Sequence, residues 1–291
     1  MQALDSFDIP ARVTAITGMG GLPAILVRTE WSQAEIYPHG AHVTRFQKTG
    51  EAPLLFMSAA SEFRSDKPIR GGVPVIFPWF GPRDGLPAHG SARITTWELL
   101  EALALPGGSI RLRLRLPATG SYEAHYLVTV GSTLTLELAI TNTGKEDFTF
   151  ENCLHTYFQV GDVSRIGISG LSGTRYRDVL TGADFTETEN PIRIAAEVDR
   201  TYQDTAATVE IHDPELRRTI HVRKSGSLST VVWNPWIAKS IRMPDFGDDE
   251  YPHMVCVESG NIAPNAVTLK PGQAASLIVE IDSLAPGQGL G

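Results

Sequence analysis

The feature that most restricts the fold is a two-residue alternation of apolar and polar side chains, repeated in short runs. In Ile110–Leu116, isoleucine and leucine alternate with three arginines. A strand with this pattern buries one face and exposes the other to water. The preceding run, Trp97–Ala104, is joined to it through Pro106-Gly107-Gly108, which predicts a turn between two strands. A row of arginines can bind nucleic acid, but in an acidic chain we interpret this row as a solvent-exposed sheet face.

The same alternation continues along the chain from Ala34 onward, with turn residues between the runs. The further predicted strands are Thr133–Thr141, Ala207–His212, Thr219–Lys224, Thr230–Trp233, Met254–Ser259 and Ala274–Asp282. Two short helices are predicted, Ser58–Ser65 with Ser58 as its cap, and Ile237–Asp245. Many strands at short spacing predict an all-β fold of large antiparallel sheets packed face to face. We expect one domain over residues 1–291, because no repeat or linker-like segment divides the chain.

Composition narrows the choice of partners and compartment. The net charge of −8 argues against nucleic acid or an anionic membrane surface as the main partner. The segment MQALDSFDIPARV does not resemble a signal peptide, and no apolar stretch approaches the roughly 18 residues of a membrane span. Two cysteines, Cys153 and Cys256, without an N-glycosylation motif give no indication of secretion. We therefore expect a cytoplasmic protein, and we expect it to be a monomer.

Polar side chains interrupt an aromatic run at Phe148–Asp162, which reads FTFENCLHTYFQVGD. In an extended chain, Glu151, Cys153, His155 and Tyr157 share one face. A histidine held in a rigid aromatic strand is suited to be a positioned acid or base. A core histidine with a backbone partner would give the same pattern, so the run alone leaves both interpretations open.

A carboxylate with apolar neighbours occurs in the predicted strand Met254–Ser259, where Met254, Cys256 and Glu258 share one face. Such a carboxyl group needs a partner, and its pKa is expected to rise, unless it lies on an edge strand and points into water. Cys153 lies two residues before His155, as Cys256 does before Glu258. The two thiols therefore either line one pocket or are small buried hydrophobic groups. If they line the pocket, alkylating reagents should lower the rate of the reaction. No metal site is predicted, because no close-spaced ligand pair is present.

Three other segments carry candidate binding residues. In PIRGGVPVIFPWFGPR, followed by LPAHGSAR, Gly71-Gly72 permits a tight turn or a close approach of the backbone to a ligand, and the prolines stiffen the loop. This loop could present Arg70 and Arg93 to an anion, or pair them with nearby acids. Asp199, predicted in a polar loop, could accept sugar hydroxyls or cap a turn. Trp233, in VVWNPW, offers a face suited to a pyranose or to the core.

Seven motifs, taken in order, resemble the hexose-6-phosphate mutarotases, also called glucose-6-phosphate 1-epimerases, of the aldose 1-epimerase superfamily. They are PIRGGVPVIFPWFG, HGSAR, LHTYF, DRTYQ, VVWNPW, FGDDEY and CVESG, within Tyr37 to Gln273. The resemblance implies a galactose-mutarotase-like β-supersandwich with few short helices, a site in a cleft on its concave sheet, and no cofactor.

The resemblance also assigns roles to individual residues. It implies that His155 and Glu258 are catalytic, that Arg70 and Arg93 bind substrate, and that Asp199 binds its hydroxyls. We add His89 and Trp233 as further substrate-binding candidates. Two positions depart from the family pattern: LPAHG has Ala88 where the family commonly has a substrate-holding glutamine, and CVESG has Ser259 where it often has proline.

The expected function is interconversion of the α and β anomers of a hexose 6-phosphate, with Glu258 as base and His155 as acid. Ala88 leaves open a mutarotase for free aldoses. A catalytically silent protein that binds a sugar phosphate is a third possibility, although binding alone does not need both an acid and a base. A glycosidase is disfavoured because it needs two carboxylates across the scissile bond, and the sequence offers one strong candidate.

Overall fold

The computed structural model describes residues 4–117 and 120–285 of the 291-residue chain. Its strands β1 to β22 are Val13–Thr17, Pro23–Arg28, Ser32–Tyr37, His42–Lys48, Val75–Ile76, Glu98–Ala104, Ile110–Arg115, Tyr122–Val130, Leu134–Asn142, Phe148–Phe150, Asn152–Leu154, Tyr157–Gln159, Gly167–Ser169, Arg175–Asp178, Ala183–Thr186, Val198–Tyr202, Val209–Asp213, Arg218–Ser225, Ser229–Asn234, Met254–Asn261, Val267–Leu269 and Ala274–Leu284. Helix α1 is Trp236–Ser240, and short 3-10 turns lie at Leu4–Phe7, Met19–Gly21, Ala92–Ile94, Tyr251–His253 and Ala263–Asn265. Within the described residues, no helix is long and apolar enough to cross a membrane.

Two eight-stranded antiparallel sheets dominate the architecture. The site sheet has the strand order β15-β14-β16-β19-β20-β11-β5, with β12 also paired to β20. The back sheet has the order β13-β17-β18-β22-β9-β8-β7-β6. A four-stranded sheet, β1 to β4, and the pair β10-β21 complete the strands. The predicted all-β fold of large antiparallel sheets with few short helices is confirmed.

The main hydrophobic core joins the site sheet to the back sheet. Val255 and Val257 of β20 belong to the same buried cluster as Leu112 of β7 and Leu136 of β9. Burying apolar surface of this kind is the principal force that holds two sheets together. The cluster includes residues from Val13 to Ile281, which supports the single domain that we propose for the chain.

The clearest predicted hairpin is present. Strand β7 alternates buried and partly or fully exposed residues, and it pairs with β6 in antiparallel register. Arg111 pairs with Glu101 at 3.6 Å, and Arg115 pairs with Glu98. The arginine row therefore lies on the exposed face of the back sheet, as the alternation predicted, and Arg111 and Arg115 form ion pairs there.

Several local predictions are wrong or incomplete. Ser58–Ser65 is not helical, because the Ser58 Oγ accepts a hydrogen bond from the Ala60 N–H and stabilises a local turn instead. The second predicted helix is shorter than Ile237–Asp245, since α1 ends at Ser240, shortly before Pro244. Strands β1 and β2 precede the region in which strands were predicted, and the run at Phe148–Asp162 forms three short strands instead of one.

The tight turn predicted at Gly71-Gly72 is present, and the backbone that it approaches closely is the chain's own. The two residues have φ values of +110° and +59°. A Cβ on Gly72 would lie 2.3 Å from the Val43 carbonyl oxygen, and a Cβ on Gly71 would lie 2.5 Å from the carbonyl oxygen of Phe56. Only glycine fits this turn, which fixes the backbone that carries Arg70.

Replacing Gly72 with alanine is expected to lower the free energy of unfolding by more than about 1 kcal/mol, because the new Cβ both strains φ and meets the backbone. Gly50→Ala is the matched control, since Gly50 has a φ of +81° but nothing within 4 Å of the added Cβ. Urea denaturation of both variants measures the difference. Equal losses of stability would show that the close approach contributes nothing.

Candidate active site

Strand β20 supplies the central carboxylate of the site. Every residue of this strand is buried, because β19 pairs along one side of it and β11 and β12 pair along the other. Val255 and Val257 face the main core, whereas Cys256 belongs to a second buried cluster on the opposite face. Since side chains alternate along a strand, Glu258 projects to the same side as Cys256, as the sequence predicted.

His155 lies between β11 and β12, where the ladder of paired residues is interrupted. Its backbone N–H donates to the carbonyl oxygen of Pro74 at 3.1 Å, which anchors the residue in the interruption. Its ring stacks on Tyr157, with centroids 4.9 Å apart and planes at 12°, and meets Trp233 edge-on at 6.1 Å. The imidazole is therefore held by aromatic contacts on two sides.

His155 and Glu258 are in direct contact. The Nε2 atom of His155 lies 3.2 Å from Oε1 of Glu258, and both side chains are buried. The other ring nitrogen, Nδ1, has no hydrogen-bond partner within the described part of the chain. Two buried titratable groups at this distance can pass a proton between them or to a molecule placed against both.

Both groups reach a pocket of about 560 Å³, a volume suited to a small ligand. The pocket combines aromatic faces with basic and acidic side chains. Its lining residues are Arg70, Phe80, Gly81, Pro82, His89, Glu151, His155, Tyr157, Arg177, Val179, Asp199, Thr201, Gln203, Val231, Trp233, Lys239, Met243, Glu258, Ile262 and Ala263. Six of the seven predicted site residues are among them, and the seventh, Arg93, is not.

Burial shifts the pKa values of the two contacting groups in opposite directions. It raises the pKa of the Glu258 carboxyl well above its usual value, and the nearby charge of Asp199 raises it further. It lowers the pKa of the His155 imidazole well below its usual value, and His89 and Arg70 lower it further by repulsion. Burial therefore acts in favour of the uncharged form of each group.

Arg70 lines the pocket but is already paired. Its Nε and Nη2 atoms donate to Oδ2 of Asp245 at 3.1 and 3.0 Å, and Nη1 donates to the Tyr157 hydroxyl at 2.9 Å. Burial acts to lower the pKa of Arg70, but Tyr157 and Asp245 outweigh it and the pKa is raised. Arg70, which was predicted to bind an anion, is thus a positive group held in place by Tyr157 and Asp245, and it already forms an ion pair with the Asp245 carboxylate.

Arg93 differs from Arg70 in having a neutral partner. Its Nη2 donates to the Ala88 carbonyl oxygen at 2.8 Å, and within the described residues it has no carboxylate within 4 Å. Burial, followed by repulsion from Arg70, lowers the pKa of Arg93 to about 10. Arg93 is close enough to affect the pKa values of His89 and Glu258. Arg93 therefore has no direct carboxylate partner among the described residues, and Asp245 and Glu258 attract its charge only from a longer distance.

Asp199 lies on strand β16, so its predicted placement in a polar loop is wrong. The extended pairing of β16 with β19 sets Asp199 directly opposite Trp233. This long-range pairing overrides the polar local sequence. Lys239 of α1 lies 3.5 Å from the Asp199 carboxylate and 5.6 Å from the centre of the Trp233 ring. Asp199 and Trp233 consequently present a hydroxyl acceptor and an apolar face side by side.

His89 faces the pocket from a strained backbone position, with a φ of +63°. Its Nδ1 accepts a hydrogen bond from the Gly81 N–H at 3.3 Å, so the neutral ring carries its proton on Nε2. Burial, then repulsion from Arg93 and Arg70, lowers its pKa to about 3. His89 is therefore a neutral hydrogen-bond donor at neutral pH.

Two basic pocket residues were not predicted. Arg177 of β14 pairs with Asp184 at 3.3 Å, and Lys239 pairs with Asp199 and with Glu197. Lys239 lies within the predicted helix that follows VVWNPW. A basic residue close to the two tryptophans of that motif could have indicated a site residue. The sequence around Arg177 contains nothing comparable.

The two thiols lie beside the carboxylate and not on the pocket wall. Cys153 and Cys256 are free and fully buried, and of the described residues that line the pocket neither is one. The Cys153 thiol donates to Oε2 of Glu258 at 3.5 Å. Burial raises the pKa of both thiols well above the usual value, which disfavours the thiolate form that reacts with alkylating reagents. Cys153 and Cys256 therefore do not line the floor of the site, which was one of the two alternatives for them.

Comparison with known proteins identifies close relatives of the chain. The family model described as aldose 1-epimerase matches residues 23–282. A protein of Cenchrus ciliaris, provisionally named glucose-6-phosphate 1-epimerase, is 36% identical over 258 residues, covering 82% of this chain and 78% of that protein. The crystal structure of YeaD from Salmonella typhimurium, provisionally described as a mutarotase, matches with a TM-score of 0.88 at 29% identity, covering 96% of this chain and 95% of that one. A galactose mutarotase-like protein from Clostridium acetobutylicum, 15% identical with a TM-score of 0.72 and covering 94% of this chain and 98% of that one, shows that the fold is galactose-mutarotase-like.

Removing the Cys153 thiol is expected to raise the pKa of Glu258 further, because the thiol hydrogen bond stabilises the carboxylate. The variant is Cys153→Ala, and the pKa is followed by infrared titration of the protonated carboxyl band, assigned by its loss in Glu258→Gln. Cys256→Ala is the matched control, since it removes a thiol of equal burial that has no hydrogen bond to Glu258. An unchanged or lowered pKa in Cys153→Ala would contradict the assigned hydrogen bond.

Proposed function

The chain belongs to the aldose 1-epimerase family and is an isomerase, and we propose that it interconverts the α and β anomers of a hexose 6-phosphate, in the first place glucose 6-phosphate. The observation that carries the proposal is the 3.2 Å contact between Nε2 of His155 and Oε1 of Glu258 in a pocket with sugar-binding chemistry. The provisional name of the Cenchrus ciliaris relative supports the choice of substrate.

Anomers exchange through the open-chain aldehyde, which requires two coordinated proton transfers. Glu258, as carboxylate, removes the proton of the C1 hydroxyl while His155, as imidazolium, donates a proton to the ring oxygen. The bond between C1 and the ring oxygen then breaks, and C1 becomes a carbonyl carbon. Rotation about the C1–C2 bond presents the other face, and the two groups reverse their roles as the ring closes.

The pKa directions are compatible with these roles because the pair holds the same number of protons in both forms. A protonated Glu258 beside a neutral His155 becomes a carboxylate beside an imidazolium when one proton crosses the 3.2 Å contact. A dianionic phosphate in the pocket raises the pKa of the imidazole by attraction, which favours the ionic form. Substrate binding thus brings the pair into the form that starts the reaction.

Neighbouring side chains supply the groups that orient a sugar. Asp199 accepts hydrogen bonds from sugar hydroxyls, and Trp233 opposite it packs against the C–H face of the ring. The Nε2–H of His89 donates to a sugar oxygen. Arg93, which has no direct carboxylate partner among the described residues, binds the phosphate together with Arg70, as we expected from the sequence.

A mutarotase for free aldoses is the second candidate, and two observations favour it. Ala88 replaces the glutamine that the resemblance leads one to expect, and Arg70 is already satisfied by Asp245 and Tyr157. Arg93 is the discriminating residue, because only a phosphorylated sugar needs its charge.

Exchange spectroscopy of the anomeric protons by NMR tests the proposal directly. Glucose 6-phosphate and glucose are compared in matched samples with and without protein, so that spontaneous mutarotation is subtracted. Selective acceleration of glucose 6-phosphate is the expected result, and acceleration of glucose alone would assign the protein to free aldoses. Absence of acceleration with both, and with other hexose 6-phosphates, would refute the proposed activity.

His155→Ala and Glu258→Gln are each expected to reduce kcat by roughly 10²–10⁴-fold, because each removes one of the two proton-transfer groups. The same NMR assay gives kcat, and circular dichroism verifies the fold. Glu210→Gln, which alters an exposed carboxylate on β17 of the back sheet, serves as the control. A rise in KM with kcat unchanged would show that His155 and Glu258 bind substrate without transferring protons.

Activity is expected to persist as the pH falls through 6.5, the ordinary imidazole pKa. Acid inactivation requires His155 to gain a proton while Glu258 keeps its own, and burial lowers the pKa of His155 well below 6.5. Alkaline inactivation requires the pair to lose its shared proton, and burial raises the pKa of Glu258 well above 4.5. The rate of anomer exchange measured against pH locates both limits, and half-maximal activity already at pH 6.5 on the acid side would contradict this assignment.

A further inference from the structure

A third side chain with metal-binding chemistry lies beside the catalytic pair. The ligand atoms of His155, Cys256 and Glu258 all lie within 4.8 Å of one another, and all three residues are buried. This cluster was not predicted from the sequence, because His155 is brought to the other two residues by strand pairing. Tyr157 pairs with Cys256 across the two strands, and this pairing sets His155 next to Glu258.

We propose that His155, Cys256 and Glu258 form an inhibitory site for a borderline-soft divalent cation of the Zn²⁺ class. One imidazole nitrogen, one thiolate and one carboxylate oxygen are ligands that Zn²⁺ accepts, and three protein ligands leave a fourth position for water. Magnesium and calcium ions prefer sites made of oxygen atoms alone, so they are excluded by the thiol.

The geometry needs only a small adjustment to hold the ion. Tetrahedral zinc with ordinary bond lengths separates its ligand atoms by roughly 3.3–3.6 Å. His155 and Glu258 are already 3.2 Å apart, so the thiol of Cys256 is the atom that must approach, by roughly 1.2 Å at most. Cys153 donates to Oε2 of Glu258, which leaves Oε1, the oxygen facing His155, as the ligand atom.

Charge favours occupation by a dication. A thiolate and a carboxylate buried together would be strongly repulsive, but a dication neutralises both as their protons leave. The positive charge of Arg70, which otherwise opposes a cation, is compensated by Asp245 at 3.0 Å. Arg93, which has no direct carboxylate partner among the described residues, opposes the cation, and the two anionic ligands must outweigh it. The ion reaches the site through the pocket, which His155 and Glu258 line.

An ion in this position blocks both proton transfers, because it occupies the lone pairs that Glu258 and His155 use. The consequence for activity rests on the proposed function, whereas binding of the ion does not. Zinc would therefore act as a reversible inhibitor that is removed by a chelator.

Cobalt(II) is the probe that tests the site, because a cobalt–thiolate bond produces a charge-transfer absorption band. The chain has two cysteines, so the band can come only from Cys153 or Cys256. We expect the band in the native protein and in Cys153→Ser, its loss in Cys256→Ser, and its displacement by Zn²⁺ but not by Mg²⁺. No band in the native protein, or a band that survives Cys256→Ser, would overturn the proposal.

A second variant protects the test against misfolding of Cys256→Ser. Glu258→Gln is expected to weaken Co²⁺ binding by at least roughly tenfold, and unchanged binding would also overturn the site. In the anomer-exchange assay, Zn²⁺ should inhibit the native protein and Cys153→Ser, and EDTA should restore activity. If the native protein shows the band but no exchange of any sugar phosphate, the metal site stands and the proposed function fails.

Discussion

The contact between His155 and Glu258 is the interaction on which the site depends. The energetic cost of burying these two titratable groups explains much of the surrounding structure. Either residue alone, charged in this buried position, would be strongly destabilising. Together they can be neutral or ionic at the same total number of protons, so the pair need never carry net charge. This flexibility in proton position is the property that acid–base catalysis uses.

Rigid strands make such a contact possible. Strand β20 is buried along its whole length and paired on both sides, so Glu258 cannot turn toward water. The interruption between β11 and β12 frees His155 from the ladder, and its aromatic neighbours Tyr157 and Trp233 then fix the ring. The core contributes from behind through Val255 and Val257, which tie the site sheet to the back sheet. Paired strands on both sides of the two residues hold the 3.2 Å contact more precisely than loops would.

The parts of the structure that were predictable follow from local periodicity. Strand β7 was predictable because one of its faces is exposed to water. The shared face of Cys256 and Glu258 was predictable because side chains alternate in direction even along a fully buried strand. Ser58–Ser65 was misassigned because a serine that can cap a helix can equally bond two residues ahead in a turn. The positions of Asp199 and Arg177 at the pocket depend on which strands pair. The sequence of a single strand does not identify the strand that it pairs with. The catalytic pair was predicted mainly through the family resemblance, and its roles stay a prediction, as do the cytoplasmic location and the monomeric state.

The charges around the pocket indicate how an acidic chain could bind the dianion that we propose as its substrate. Three of the basic groups, Arg70, Arg177 and Lys239, have carboxylate partners within 4 Å. A phosphate must compete with these carboxylates, so each basic group contributes only the difference between its interaction free energies with phosphate and with carboxylate. Arg93 is different, because it donates to a carbonyl and its pKa is lowered to about 10 by burial and by Arg70. A phosphate beside it would relieve a repulsion that the ligand-free protein must tolerate. Preference for a phosphorylated sugar over a free one should therefore depend on Arg93 more than on the other three residues, despite its position just outside the pocket wall.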